Sequence, residues 1–126
     1  MIDLHMHTTA SAGRSAPPDL VAEVVAHGIT TMAVTDHDTT AAWDEVSTAA
    51  AVACITCIPG IEITAVDDGR DVHMLGYFFD HHHPELSAFL LAQREDRYRR
   101  LRAIGERLER LGVPVDLDRA IATADQ

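Results

Sequence analysis

The sequence predicts an α/β fold with a largely parallel sheet, because short apolar strand candidates alternate with amphipathic helical patterns. A first helix is expected to begin at Pro17 and Pro18, and Gly28 stands where a left-handed C-cap is wanted. A second helix is expected from about Thr40 to Ala51. The strand candidates around these helices are Ile2–His7, Thr31–Thr35 and Val52–Ile58. Strands separated by helices in this way are typical of a parallel sheet or barrel.

The pattern changes at Pro84, where a second part of the chain is expected to begin. The segments before it are expected to be a turn at Pro59-Gly60, an extended run Ile61–Val66, a tight turn at Asp67-Asp68-Gly69 and a strand Val72–Phe79. Pro84 opens a long helical pattern that ends at Gly112 and Pro114. A further helix, capped by Asp116 or Asp118, is expected after it. We therefore expect two parts, residues 1–82 and residues 83–126, the second truncated because its last helical pattern lacks a stop signal.

Composition indicates a globular protein and argues against a general binder of polyanions. The 126 residues carry a net charge of −10, so long-range repulsion opposes association with nucleic acid. A bound metal ion reverses that sign locally, which leaves a phosphorylated substrate open. Cys54 and Cys57 give no disulfide framework and are expected to be buried thiols. Met1 leads directly into a strand candidate without a signal-peptide or membrane-spanning pattern, so a cytoplasmic protein with no membrane partner is expected.

The first strand candidate carries Asp3, His5 and His7 at alternate positions. Alternate side chains of a strand share a face, so both imidazoles are expected to point the same way, with the carboxylate beside them. Neutral imidazole is a common metal ligand, and a nearby carboxylate can fix its tautomer. Two polar residues on the exposed face of an edge strand would give the same short pattern.

Three later strand segments also carry imidazole or carboxylate groups. Asp36-His37-Asp38 follows the second strand directly, Glu62 lies in an apolar run, and His73 lies in the last strand candidate. Each segment also has a simpler interpretation. Asp36-His37-Asp38 could be a turn, Glu62 could face outward, and His73 could be a hydrogen-bonded histidine of the core. Parallel strands, however, bring the residues at their carboxyl ends together. The combined set therefore predicts a metal site, and its imidazole and carboxylate groups suit manganese, iron or zinc.

Two other charged or polar segments are expected to be solvated. His81-His82-His83 precedes Pro84 in a loop, which predicts an exposed turn. The helix after Pro84 is rich in arginine but also contains glutamate and aspartate, so a solvent-facing surface laced with ion pairs is expected.

Four motifs resemble those of the PHP (polymerase and histidinol phosphatase) family, in the family's order. They are Asp3-Leu4-His5-Met6-His7-Thr8, Thr35-Asp36-His37-Asp38, Pro59-Gly60-Ile61-Glu62-Ile63 and Val72-His73-Met74-Leu75-Gly76-Tyr77. The last two most resemble the branch of nucleoside 3',5'-bisphosphate phosphatases and 5'-to-3' RNA exonucleases. The resemblance implies the N-terminal half of a distorted (β/α)7 barrel over residues 1–82, followed by the start of a helical insertion.

The resemblance also implies a reaction and roles for the residues. The parent protein would hydrolyse phosphomonoesters of nucleotides or RNA ends with hydroxide activated by two or three divalent ions. Its metal ligands would be His5, His7, His37, Glu62 and His73, with Glu62 bridging. The carboxylates of Asp3, Asp36 and Asp38 would support those ligands by hydrogen bonding.

Ala12 departs from the family pattern. Relatives usually have aspartate, or sometimes histidine, at this position, where the side chain binds a metal. A natural variant and a deliberate inactivating substitution both fit the alanine. The family's later ligands, a histidine and a C-terminal Asp-x-His, do not occur before Gln126. A catalytically inactive module with a structural or partner-binding role, and a phosphatase of the histidinol phosphate type, are therefore alternatives to the nucleotide phosphoesterase.

Overall fold

A computed structural model describes residues 1–124, and the side chains of residues 1–121. The chain divides into two compact units between His83 and Pro84. The elements of the first unit are β1 (Ile2–Met6), α1 (Pro17–Ala26), β2 (Thr31–Val34), α2 (Trp43–Val52), β3 (Thr56–Asp67) and β4 (Arg70–Tyr77). The second unit contains α3 (Pro84–Arg110) and α4 (Leu117–Ala124). The roles expected for the two parts stay predictions.

The first unit is built on a four-stranded sheet in the order β1-β2-β3-β4. The first three strands are parallel, and β4 pairs antiparallel with β3. The turn between β3 and β4 is formed by Asp68 and Gly69, with φ of 48° and 74°. Two left-handed residues match the twist of a tight hairpin, so the turn expected at Asp67-Asp68-Gly69 is confirmed.

Pro59 and Gly60 do not form a turn, and the expectation of one was wrong. Both lie inside β3, at the point where this strand changes partners. Pro59 is the last residue in register with β2, and Gly60 is the first in register with β4. A Cβ atom on Gly60 would lie 2.8 Å from the carbonyl oxygen of Val34, so the close approach of β2 requires glycine here. Proline and glycine therefore mark a change of strand pairing rather than a reversal of the chain.

Two helices cover the sheet with apolar side chains. The buried core consists of Leu20, Val21, Val24, Ile29, Met32, Val34, Ala42, Val46 and Ala50. Val25 of α1 lies outside this core and is 48% exposed. Helix α1 ends as expected, because Gly28 has a left-handed φ of 69° and its N–H donates to the carbonyl of Val25. Helix α2 begins at Trp43, later than expected, and includes Val52.

The cysteine expectation was wrong for Cys54, which is exposed in the turn after α2. Cys57 is half-buried, and burial raises the pKa of its thiol to about 11. In the second unit, Asp116 caps α4, because its Oδ1 accepts a hydrogen bond from the N–H of Arg119 at 3.0 Å. None of the helices in residues 1–124 combines the length and apolar character that crossing a bilayer requires.

Tyr77 connects the two outer strands of the sheet. Its Oη donates a hydrogen bond to the carbonyl of Leu4 in β1 at 2.7 Å, although β1 and β4 lie at opposite ends of the strand order. The sheet is therefore curled into a half-barrel. Tyr77→Phe is expected to lower the free energy of unfolding by about 1–2 kcal/mol, because the carbonyl of Leu4 loses its donor. Urea denaturation would measure this, and an unchanged value would show that the bond does not hold the curl.

Candidate metal centre

Glu62 lies at the centre of the candidate site. Its side chain is buried, and its backbone is fixed on both sides. On one side it stands opposite Leu75 of β4. On the other its N–H donates to the carbonyl of Asp36 at 3.2 Å, and its carbonyl accepts from the N–H of Asp38 at 2.9 Å. The segment that follows β2 is thereby held beside the carboxylate.

Four imidazoles surround the Glu62 carboxylate. The Nε2 atoms of His5 and His7 lie 3.0 and 3.3 Å from Oε2, and Nδ1 of His37 lies 3.7 Å from the same oxygen. Nδ1 of His73 lies 2.8 Å from Oε1. The rings of neighbouring histidines are 4.7 to 5.2 Å apart. The structure therefore brings together all five residues that the sequence singled out as ligands.

The donors form two groups that share Glu62. One group is His5, His7 and Glu62, and the other is His37, Glu62 and His73; within each group the ligand atoms lie within 4.8 Å of one another. Two ligands about 2.1 Å from a tetrahedral ion lie roughly 3.4 Å apart, so small movements bring either group into coordination range. Imidazole and carboxylate donors also suit manganese, iron and zinc. The residues therefore fit a pair of divalent ions.

The charge on Glu62 is maintained by the histidines. Burial raises the pKa of a carboxyl group, but a hydrogen bond from His5 and the charges of His37, His5 and His73 outweigh it and hold the pKa of Glu62 below its ordinary value. A buried carboxylate kept ionised is the form that binds a cation.

Asp36 supports the site through a hydroxyl that the sequence did not single out. This buried carboxylate accepts hydrogen bonds from the N–H and Oγ1 of Thr8 at 2.8 and 2.6 Å and from Oγ of Ser11 at 2.6 Å. Oγ of Ser11 also lies 3.5 Å from Nδ1 of His7. Because the Ser11 proton is directed at Asp36, its oxygen can accept from Nδ1 and leave the Nε2 lone pair of His7 facing Glu62.

The other two aspartates hold backbone in place. Oδ1 of Asp3 accepts from the N–H of His5 at 3.2 Å, and Oδ1 of Asp38 accepts from the N–H of Thr64 at 2.8 Å. Asp38 has a left-handed φ of 52°, a conformation that aspartate tolerates better than most residues. The bond to Thr64 fixes the residue next to His37 against β3.

Ala12 lies in the loop that Asp36 anchors. Its side chain is exposed, and the loop folds back tightly, since the N–H groups of Ser11 and Gly13 both donate to the carbonyl of Thr8 at 3.1 and 2.9 Å. A Cβ atom on Gly13 would lie 2.2 Å from the carbonyl oxygen of His7, so only glycine fits there. The loop is thus well defined, but Ala12 offers no donor to an ion.

The family follows from the fold, the site and a direct comparison. The sheet carries histidines and a shared carboxylate at one edge, as expected of a metal-dependent phosphoesterase. A family model described as the PHP domain matches residues 3–107, and the chain belongs to the PHP domain family. The resemblance inferred from the four motifs is confirmed.

Relatives place the chain within this family more closely. It is 42% identical over 123 residues to a 5'-3' exoribonuclease of Haemophilus influenzae, covering 98% of this chain and 45% of the relative. It is 34% identical over 124 residues to a 3',5'-nucleoside bisphosphate phosphatase of Chromobacterium violaceum, covering 98% and 44%. The chain spans less than half the length of these curated relatives.

A solved structure confirms the expected fold class. A protein from Bifidobacterium adolescentis, assigned as a metal-dependent phosphoesterase, superposes with a TM-score of 0.86 at 35% identity. The superposition covers 99% of this chain and 43% of that protein. The α/β half-barrel is therefore a portion of the PHP fold.

Proposed function

We propose that the full protein containing this chain hydrolyses phosphoesters of nucleotides or RNA ends, using divalent ions held by His5, His7, His37, Glu62 and His73. One observation carries the proposal: both oxygens of a single buried carboxylate face imidazoles that come from different segments of the half-barrel. Divalent ions in such a site polarise phosphoryl oxygens and make water nucleophilic near neutral pH.

The chain's own residues would bind and orient these ions. Glu62 bridges the two donor groups, and its position between β4 and the segment after β2 limits its movement. Asp36 is a positioning residue, which fixes Ser11 and through it the ring of His7. Asp3 and Asp38 hold the backbone of the ligand-bearing segments in place.

The substrate class is proposed from the relatives and from charge. The curated relatives are named as enzymes acting on RNA and on nucleoside bisphosphates, which are anions. A chain with a net charge of −10 repels such substrates at long range, so the metal cluster must supply the local positive charge. Manganese, iron and zinc all suit the donors, and a cytoplasmic location with no membrane partner suits the substrates.

Phosphate release by the full-length protein tests this proposal. Phosphate release from a nucleoside 3',5'-bisphosphate and from a 5'-phosphorylated oligoribonucleotide is expected to require manganese. Release is expected to fall at least a hundredfold in His7→Ala. This variant lacks a metal ligand and therefore loses several kcal/mol of the transition-state stabilisation that the ion supplies. His27→Ala is the matched control, because this exposed histidine lies at the end of α1, outside the cluster. Equal loss in both variants, or undiminished release in His7→Ala, would refute the proposal.

Ala12 provides a second test, which distinguishes an active enzyme from an inert module. Ala12→Asp in the full-length protein is expected to raise the number of manganese ions bound per chain, because it restores the carboxylate that the family pattern has at this position. Ala12→Ser is the control of similar size without the charge. Elemental analysis after dialysis measures the metal content. Less than one ion per chain, with no gain in Ala12→Asp, would support a non-catalytic role instead.

A further inference from the structure

A second group of possible ligands lies in the first unit and shares no residue with the Glu62 cluster. It consists of Asp44 in the first turn of α2, and of His81 and His82 in the segment between β4 and α3. Nε2 of His82 lies 3.5 Å from Oδ1 of Asp44, and Nε2 of His81 lies 3.9 Å from the same oxygen. Both imidazoles thus direct the same ring nitrogen at one carboxylate oxygen.

His81 is not the solvated residue that its sequence context predicts. Only 17% of its side chain is exposed, because its ring packs 4.6 Å from Trp43 and 4.1 Å from His82. Its Nδ1 is buried and has no hydrogen-bond partner among the residues that the structure describes. Its Nε2 is too far from Asp44 for a hydrogen bond. Hydrogen bonding therefore does not explain why an imidazole is held at this place.

The packing of His81 against Trp43 fixes the direction of the imidazole. Trp43 and Asp44 are neighbours at the start of α2. The indole that packs on His81 and the carboxylate that faces Nε2 of His81 are therefore held by the same helical turn. Burial, the largest effect, and the charge of His82 lower the pKa of His81. A lowered pKa favours neutral imidazole, which is the form that binds a metal.

We propose that Asp44, His81 and His82 form a second binding site for a divalent transition-metal ion. Three protein ligands with one open position are a common set for zinc, and ligands of a tetrahedral ion lie roughly 3.4 Å apart, close to the 3.5 Å between His82 and Asp44. Two imidazoles and one carboxylate favour zinc, nickel or copper over magnesium or calcium. A bound ion would link the segment after β4 to the start of α2. The proposal does not depend on the function proposed above.

Trp43 makes this site observable without any activity assay. It is the sole tryptophan of the 126 residues, and its ring packs on a proposed ligand. Nickel is paramagnetic and is expected to quench the fluorescence of Trp43 when it binds to His81, whose ring lies 4.6 Å from that of Trp43. Zinc, which does not quench, is expected to compete with nickel and restore the emission. In the full protein, subtracting the emission of Trp43→Phe isolates this signal.

Variants separate the new site from the Glu62 cluster. His82→Ala and Asp44→Asn are expected to raise the nickel concentration needed for half-maximal quenching at least about tenfold. Mutating a residue that only hydrogen-bonds to a metal ligand already lowers metal affinity by about this factor. Both side chains are well exposed, 69% and 76%, so these changes leave the core intact. His83→Ala is the matched control and is expected to quench like the unmodified protein, as is Glu62→Gln.

Two results would overturn the proposal. Equal quenching curves for His82→Ala and His83→Ala would show that nickel binds without His82. Loss of the quenching in Glu62→Gln would assign it to the other cluster. Failure of the phosphoesterase assay would leave the fluorescence result unaffected, because the two sites have no ligand in common.

Discussion

Glu62→Gln is expected to abolish metal binding by both donor groups of the cluster and to slow phosphate release by the full protein about a thousandfold. The amide keeps the size of the side chain but removes the negative charge, and its NH2 group repels a cation. Both groups lose their only carboxylate at once, because Glu62 belongs to each. The loss corresponds to several kcal/mol of transition-state stabilisation that divalent ions supply to phosphoryl transfer.

Glu45→Gln is the matched control for this change. Glu45 is an exposed glutamate in the first turn of α2, so the same chemical change there is expected to leave metal content and activity within twofold. Elemental analysis and phosphate release should be measured on the same preparations, with circular dichroism to confirm the fold. A Glu62→Gln protein that retains two ions per chain would contradict the bridging role.

Asp36→Ala is expected to lower the free energy of unfolding by about 3–5 kcal/mol, because it removes three hydrogen bonds to a buried charge. The substitution leaves the N–H and hydroxyl of Thr8 and the hydroxyl of Ser11 without their buried acceptor. Hydrogen bonds to a buried charge contribute about 1.5–3 kcal/mol each, and their losses are not additive. The loop between β1 and α1 should then become mobile, and His7 should lose the hydroxyl that orients it.

Urea denaturation measures this effect, and Asp19→Ala is the control. Asp19 is exposed in the first turn of α1, so its loss is expected to cost less than about 1 kcal/mol. Asp36→Asn should lie between the two, because an amide retains one acceptor oxygen. If Asp36→Ala changed the free energy of unfolding by less than about 1 kcal/mol, the carboxylate would not be what holds the loop.

The gathering of the histidines could be predicted from sequence because it depends on regular geometry. Strands separated by helices form a parallel sheet, and their carboxyl ends meet at one edge. This geometry brings His7, His37 and Glu62 together even if the predicted boundaries of the individual strands are shifted by a few residues. Alternation did not have to be perfect. Strand β1 contains an irregularity between Asp3 and Met6, and yet His5 in this strand and His7 directly after it both reach Glu62.

Other features depend on contacts between distant segments, which local patterns do not contain. Pro59-Gly60 has the composition of a turn, but the approach of β2 and β4 from either side keeps it in a strand. Ser11 is one small polar residue among several in its loop, and its link to His7 exists because Asp36 lies across from it. The burial of His81 likewise results from packing against Trp43.

A crystal of the full protein grown with manganese, measured at the manganese absorption edge, would test the metal cluster most directly. We predict two anomalous peaks flanking the Glu62 carboxylate, about 3.5–4 Å apart, one beside His5 and His7 and the other beside His37 and His73. A map with no peak within coordinating distance of Glu62, from protein that is otherwise folded as described, would contradict the account.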